Sequence, residues 1–166
     1  MAKTITIELS DDSITNAIKE LRAYAAWVEA KEKELRDRLA MLGATVASIR
    51  FSGAITGGTK DVSVSVEEEG RTAVIKASGK DVVFIEFGTG IKYGYGHPEA
   101  GKKGFGPGTW SDNPEKGGKG QWDNPKGWWY GSGQHTYGDP PAMAMYSAVK
   151  EMTESLTRIA TEVFAN

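Results

Sequence analysis

No cysteine occurs anywhere in the 166 residues, so a disulfide scaffold, an iron–sulfur cluster, thiolate-bound zinc and a cysteine nucleophile are all excluded. The absence is compatible with a reducing compartment. No eighteen consecutive residues are apolar, so no segment reads as a membrane span. The opening Met-Ala-Lys-Thr-Ile-Thr-Ile alternates instead of forming an apolar block, and no secretory leader is expected. Neither sign of charge dominates: 20 Lys and Arg stand against 22 Asp and Glu, and a broad nucleic-acid footprint is not expected. Histidine is scarce, with only His97 and His135. What is present, 39% hydrophobic and 25% charged residues, fits one ordinary domain with enough chain to bury a core.

Glycine is the anomaly. Fifteen of the 21 glycines fall between Gly88 and Gly138, together with four of the five tryptophans and both histidines. This divides a single domain into a frame of residues 1–87, an insert of residues 88–139 and a terminal helix over 140–166. In the frame, residues 3–9 alternate as a strand. Ser10, Asp11 and Asp12 then offer capping oxygens and negative charge to a helix N-terminus. Ile14, Ile18, Leu21, Ala25, Val28, Leu35, Leu39, Leu42, Val46 and Ile49 follow at three- and four-residue steps, in one long helix or two broken near Glu32 or Gly43. Glu29–Lys33, Glu32–Arg36 and Glu34–Arg38 are i,i+4 pairs on its far side. Such a stripe suits a coiled coil or a helix lying on a sheet, and the strands elsewhere in the chain favour the sheet.

Residues 61–67 and 71–78 alternate around Glu68-Glu69-Gly70 and predict a hairpin with one wet face. A short apolar segment, 82–87, runs into Gly88-Thr89-Gly90, where the chain must turn sharply and at least one glycine should take positive φ. After Pro140 and Pro141, Met145, Val149, Met152, Leu156, Ile159 and Val163 form the stripe of a last helix, with Glu154–Arg158 outside. The expected fold class is α+β: a small, mostly antiparallel sheet packed by a long N-terminal helix and a C-terminal helix, with a long Gly/Trp-rich inserted loop. Both helix stripes should face the sheet, making Leu39 and Leu156 core residues.

Catalytic constellations are thin, and no enzymatic activity, cofactor or metal is expected. The glycine-dense run 104–109 is followed by Trp110-Ser111-Asp112-Asn113-Pro114, which prevents the helix a phosphate loop needs. His97 with Glu99, or Asp112 and Asp123 with their asparagines, are isolated polar groups without metal-ligand spacing. Glu86 is the one carboxylate inside an apolar run, suited to a raised-pKa acid or, more commonly, to binding backbone N–H groups or a neighbouring subunit. The tryptophans are more distinctive. Trp110-Ser-Asp-Asn-Pro-Glu-Lys-Gly117 and Trp122-Asp-Asn-Pro-Lys-Gly127 are near-copies, and Trp128-Trp129-Tyr130 follows directly. Disorder depletes aromatics, so a loop this rich in them is expected to dock its rings on something, a protein interface or a sugar. Residues 95–127 should be removable while leaving the frame folded.

The order strand, long charged helix, Val-rich hairpin, Phe84-Ile85-Glu86-Phe87-Gly88-Thr89-Gly90, Gly-rich loop, and Tyr137-Gly138-Asp139-Pro140-Pro141-Ala142-Met143 before a last helix resembles the minor tail-component family of long-tailed bacteriophages. These are tail-completion or neck proteins, and the 128–138 stretch resembles the subgroup from phages of Gram-positive bacteria. The resemblance implies a structural virion protein, assembled in the host cytoplasm and located in the neck. It would form a homo-oligomeric ring, expected to be a hexamer, that joins the head connector to the tail and lines the channel for DNA as cargo. It implies no catalytic residues, and it matches Glu86, Phe87, Gly88, Thr89, Pro140, Pro141 and Ala142. With Trp110, Trp122, Trp128, Trp129, Tyr130 and Tyr137, the first four are the expected assembly residues. The alternatives are a tail terminator capping the tube, or a carbohydrate- or cell-wall-binding module built on the loop tryptophans.

Overall fold

A computed structural model of the chain describes residues 10–56, 61–93, 96–103, 126–129 and 135–165. The strand expected over 3–9 lies outside them. Helix α1 spans Asp11–Ser52 without a break, 42 residues or about 63 Å at 1.5 Å per residue. Ser10 caps it, its hydroxyl accepting the Ser13 N–H, with Asp11 and Asp12 in the first turn. Strands β1 (Ser63–Glu69) and β2 (Thr72–Ser78) pair antiparallel from Ser63↔Ser78 to Glu69↔Thr72. Gly70, at φ 62, opens their two-residue turn, the place a tight hairpin turn reserves for glycine. Next come α2 (Val82–Phe87), α3 (Gly90–Tyr93) and a 3₁₀ turn at Gly101–Lys103. A short ladder joins β3 (Trp128–Trp129) to β4 (His135–Thr136), and α4 (Ala144–Ala165) ends the described chain.

The expected architecture, a sheet packed by both helices, is not what the chain builds. The long helix packs chiefly on α4, and the hairpin, a two-stranded sheet open at both edges, leans against α1 as a secondary contact. The helices run antiparallel: Gly43 lies beside Met152, and Trp27 meets Phe164 edge-on at 5.9 Å. The cause is in the small residues. The buried positions of α1 are Ala17, Ala40, Gly43, Ala47 and Phe51; those of α4 are Ala144, Ala148, Ser155, Ile159 and Val163. Small side chains let two backbones approach closely, and a Cβ added at Gly43 would sit 2.6 Å from both Ile75 Cδ1 and Met152 Sδ. At that point α1, β2 and α4 converge.

Facing the helices through their alanines rotates both away from the orientation that the large residues imply. In α4, Val149 and Leu156 are 58% and 44% exposed, whereas Ala148 and Ser155, one residue earlier, are buried. One residue is about 100° of helix rotation. In α1, Leu35, Leu39, Leu42 and Val46 are half-buried, and Ile49 is 67% exposed. Leu156 is therefore no core residue, and Leu39 only flanks the core. That core joins Ala47, Phe51, Ala54, Ile85, Ala144 and Ala148, with Val62, Val64 and Ala77 of the hairpin region packed against it.

The surface pairs also regroup. Glu34–Arg38 forms as expected, at 2.7 Å. Lys33 instead binds Asp37 and reaches the hairpin at Glu68, while Glu32 takes Arg71 from the hairpin turn. Those two contacts clip the hairpin to the middle of α1.

Candidate functional site

The start of α4 lacks a capping side chain. It is preceded by Pro140-Pro141-Ala142-Met143, none of which carries a side-chain oxygen. Met143 is the only non-glycine with positive φ among the described residues, at 49°. The missing acceptor comes from α2. Glu86 Oε2 accepts the Met145 N–H and Oε1 accepts the Tyr146 N–H, each at 3.0 Å. These are the second and third residues of α4, whose N–H groups a capping oxygen ordinarily takes, and the carboxylate also suits the positive end of the helix dipole. Glu86 is only 6% exposed, and these donors satisfy oxygens that burial has cut off from water.

A third donor completes the carboxylate. His97, 4% exposed, lies 3.2 Å from Glu86 Oε1 through Nε2. Its Nδ1 accepts the Glu99 N–H at 3.0 Å, which assigns the ring proton to Nε2, so the imidazole donates to Glu86. Phe87 lies against one side of this ring at 4.3 Å between centroids, and Tyr146 approaches edge-on at 5.5 Å.

Beside this cap, two glycine-dependent contacts lock the chain. Gly88 takes φ 76, and a Cβ there would lie 2.8 Å from the Pro141 nitrogen. Gly138 takes φ 114, and a Cβ would lie 2.0 Å from the Thr89 carbonyl oxygen. Between them, the Thr89 N–H donates to the Asp139 carbonyl and the Asp139 N–H donates to Thr89 Oγ1, both at 2.9 Å. The Ala142 and Met143 N–H groups donate to the carbonyls of Ile85 and Glu86. Thr56 Oγ1 donates to the Asp139 carboxylate at 3.1 Å, tying in the segment after α1. The segment 86–89 and the segment 138–143 are thus two halves of one joint, fifty residues apart in sequence.

Glu86, Phe87, Gly88 and Thr89 all belong to this joint. Trp129 and Tyr137 do not. Trp129, 68% exposed, stands edge-on to His135 at 4.9 Å, and His135 to Tyr137 at 5.0 Å, a row of rings on the short β3–β4 ladder. Trp128 pairs with Thr136 in that ladder. Trp110, Trp122 and Tyr130 lie outside the described residues. His97, Gly138 and Asp139 are joint residues that no sequence pattern assigns to a site, and the uncapped start of α4 is the signal that points to a remote acceptor. His97 and Ala100, 4% and 1% exposed, also show that residues 96–103 return to the frame, so removing 95–127 would cut into the joint.

Along the joint runs an open groove of about 610 Å³, walled by Phe51, Val82, Val83, Phe87, Tyr146 and Val149. Its lining is mostly apolar, with Glu99 and Lys103 also along it, and the Glu86 oxygens that line it are already engaged. Among the described residues, no three His, Asp or Glu side chains gather where they could hold a metal ion, and no helix is long and apolar enough to cross a membrane. Comparison of the chain with family models, with curated proteins and with solved structures gives no match.

Proposed function

We propose that this chain is a structural assembly protein: a ring-forming tail-completion subunit of a phage neck, joining head connector to tail around the DNA channel. The observation that carries the reading is the joint. The two segments on which the resemblance rests, 84–90 and 137–143, bind one another, and the Glu86 carboxyl oxygens are engaged in capping a helix. A motif that positions a helix is what a structural subunit requires. The exposed apolar residues of α1 and α4, among them Ile14, Ile18, Leu21, Val149 and Leu156, are surface that an assembly would cover. Light scattering, native mass spectrometry and negative-stain imaging of the purified chain test this, with closed rings of one stoichiometry expected. A tail terminator would give the same ring but bind the tube end, which imaging of the parent particle separates.

The row Trp129, His135, Tyr137 supports a second reading, a sugar-stacking surface. A chain that stays monomeric and binds cell-wall polysaccharide, losing that binding in Trp129→Ala, would replace the ring reading.

A further inference from the structure

Residues 96–103 lie on the frame, and one polar contact fastens them there. Ala100 is buried, and Gly96 lies against Pro141, where an added Cβ would come within 3.0 Å of the proline ring. The Ala100 and Lys103 N–H groups donate to carbonyls of the same segment, those of His97, Glu99 and Ala100. Among the described residues, the only hydrogen bond that leaves 97–103 for another element is the one from His97 Nε2 to Glu86 Oε1.

The His97 ring is engaged at both nitrogens, in opposite senses. Nε2 donates to Glu86 while Nδ1 accepts the Glu99 N–H at 3.0 Å, an arrangement that only the neutral ring can make. A proton added at Nδ1 sets one donor against another in the turn that opens the segment. Glu86 cannot relieve that clash, because it stands at Nε2 and keeps its bond to that N–H in either protonation state. The titratable groups along the groove beside the ring are Glu86 from α2, Tyr146 from α4, and Glu99 and Lys103 from the segment itself. From α1 and the hairpin only Phe51 and Ala77 reach it. A carboxylate at Glu86 favours a charged ring, Lys103 opposes one, and Glu99 already binds Lys102 at 3.0 Å. What discriminates between the two protonation states is therefore the contact at Nδ1.

We propose that His97 is an acid-released latch between residues 96–103 and the joint. The neutral ring holds the segment in place, stacked among Phe87 and Tyr146. Protonation at Nδ1 takes the acceptor from the Glu99 N–H, the turn opens and the segment leaves, baring Phe87 and Tyr146 along the groove. The Met145 and Tyr146 N–H groups stay on Glu86, so α4 remains capped. The released segment binds one proton more than the latched one, so falling pH favours release. Histidine suits such a switch, since its ordinary titration falls between about pH 5 and 8. The latch needs only a single chain and does not depend on the ring reading.

With only His97 and His135 in the chain, nuclear magnetic resonance can follow each ring separately. In the full chain, the imidazole nitrogen shifts should show His97 as the Nε2–H tautomer at about pH 8 and protonated at about pH 5. Across that step, hydrogen exchange corrected for its intrinsic pH dependence should lose roughly tenfold or more of the protection at Glu99, Ala100 and Lys103. Met145 and Tyr146 should keep theirs. His97→Gln can donate to Glu86 but cannot take up a proton, so protection of the segment should be lower and independent of pH. His135→Gln should leave the step unchanged. Protection at Ala100 that survives protonation of His97 would overturn the latch, because the charged ring would then be staying in place. A ring still neutral at the acid end would overturn it too, as would a step that persists in His97→Gln or one that Met145 and Tyr146 share. If His97→Gln does not fold, the wild-type and His135→Gln profiles decide the matter on the same criteria.

Discussion

The joint and the N-terminal end of α1 use similar residues to opposite effect. In the joint, a charged side chain sits among apolar ones and is saturated: Glu86 accepts two backbone N–H groups and an imidazole N–H, and Thr89 and Asp139 bond reciprocally. At the N-terminal end of α1, Ile14, Ile18, Leu21 and Tyr24 stay 41–53% exposed around the buried Ala17. The difference teaches where each kind of information resides. A saturated cluster defines the conformation of one chain, because any alternative strands buried donors. An unsaturated apolar stripe adds little to that choice and leaves free energy available for association.

The strongest way to break the comparison is to unsaturate the joint. Glu86→Ala leaves the Met145 and Tyr146 N–H groups and His97 Nε2 without their acceptor in a buried place. The expected loss is about 3 kcal/mol or more, from denaturant midpoints at unchanged slope. Glu86→Gln should fall between wild type and Ala, since an amide keeps one acceptor oxygen but turns an N–H₂ toward backbone donors. A loss below about 1 kcal/mol in Glu86→Ala would show that solvent caps α4 as well as Glu86 does.

A smaller effect sharpens the orientation of α4. Ile159, 6% exposed, should cost about 2–4 kcal/mol as Ile159→Ala, whereas Leu156→Ala, at a position 44% exposed, should cost under about 1 kcal/mol. The reverse order would restore the orientation in which the large residues face inward. Assembly should respond oppositely, with Leu156→Ala the more damaging of the two if α4's outer side is covered in the ring.

These contrasts show which parts of the molecule are legible in the sequence. Local signals are: the alternation of Val62, Val64 and Val66 marks the hairpin strand, Ser10 marks the start of α1, and Gly88 and Gly90 both take positive φ, 76 and 75. The rotation of the helices is not legible, because a period of 3.6 defines a stripe without saying whether large or small residues meet the partner. Ala40, Gly43, Ala47, Ala144 and Ala148 carry little weight in a hydrophobicity pattern, yet they decide the closest contact. The segment 82–87 forms helix α2 although valine, isoleucine and phenylalanine favour strands, since its last carbonyls and Glu86 are needed to receive the start of α4. Glu86 itself stands out as an odd carboxylate, but its partners are set by tertiary contact with residues 97, 145 and 146.

The smallest expected effect concerns the surface clip between α1 and the hairpin. Lys33 donates to Asp37 at 2.7 Å and to Glu68 at 3.2 Å, and all three side chains are largely in water. Hydrogen bonding to Lys33, first of all, holds the Asp37 carboxyl below its ordinary value of 3.8, and the bond to Asp37, then that to Glu68, raises Lys33 above 10.5. For a depressed carboxyl, the stabilisation is complete above the unfolded value and lost as pH falls through the folded one. For a raised ammonium it is complete below the unfolded value and lost as pH rises through the folded one. The clip should therefore act between those limits, and Asp37→Asn should lower the melting temperature slightly at pH 7, less than Leu156→Ala does. The decrement should shrink below pH 4 and in molar salt, because exposed pairs are screened. A decrement that persists in high salt would mean that Asp37 contributes packing against the hairpin and not charge, and the hairpin would then belong with the saturated region of the molecule.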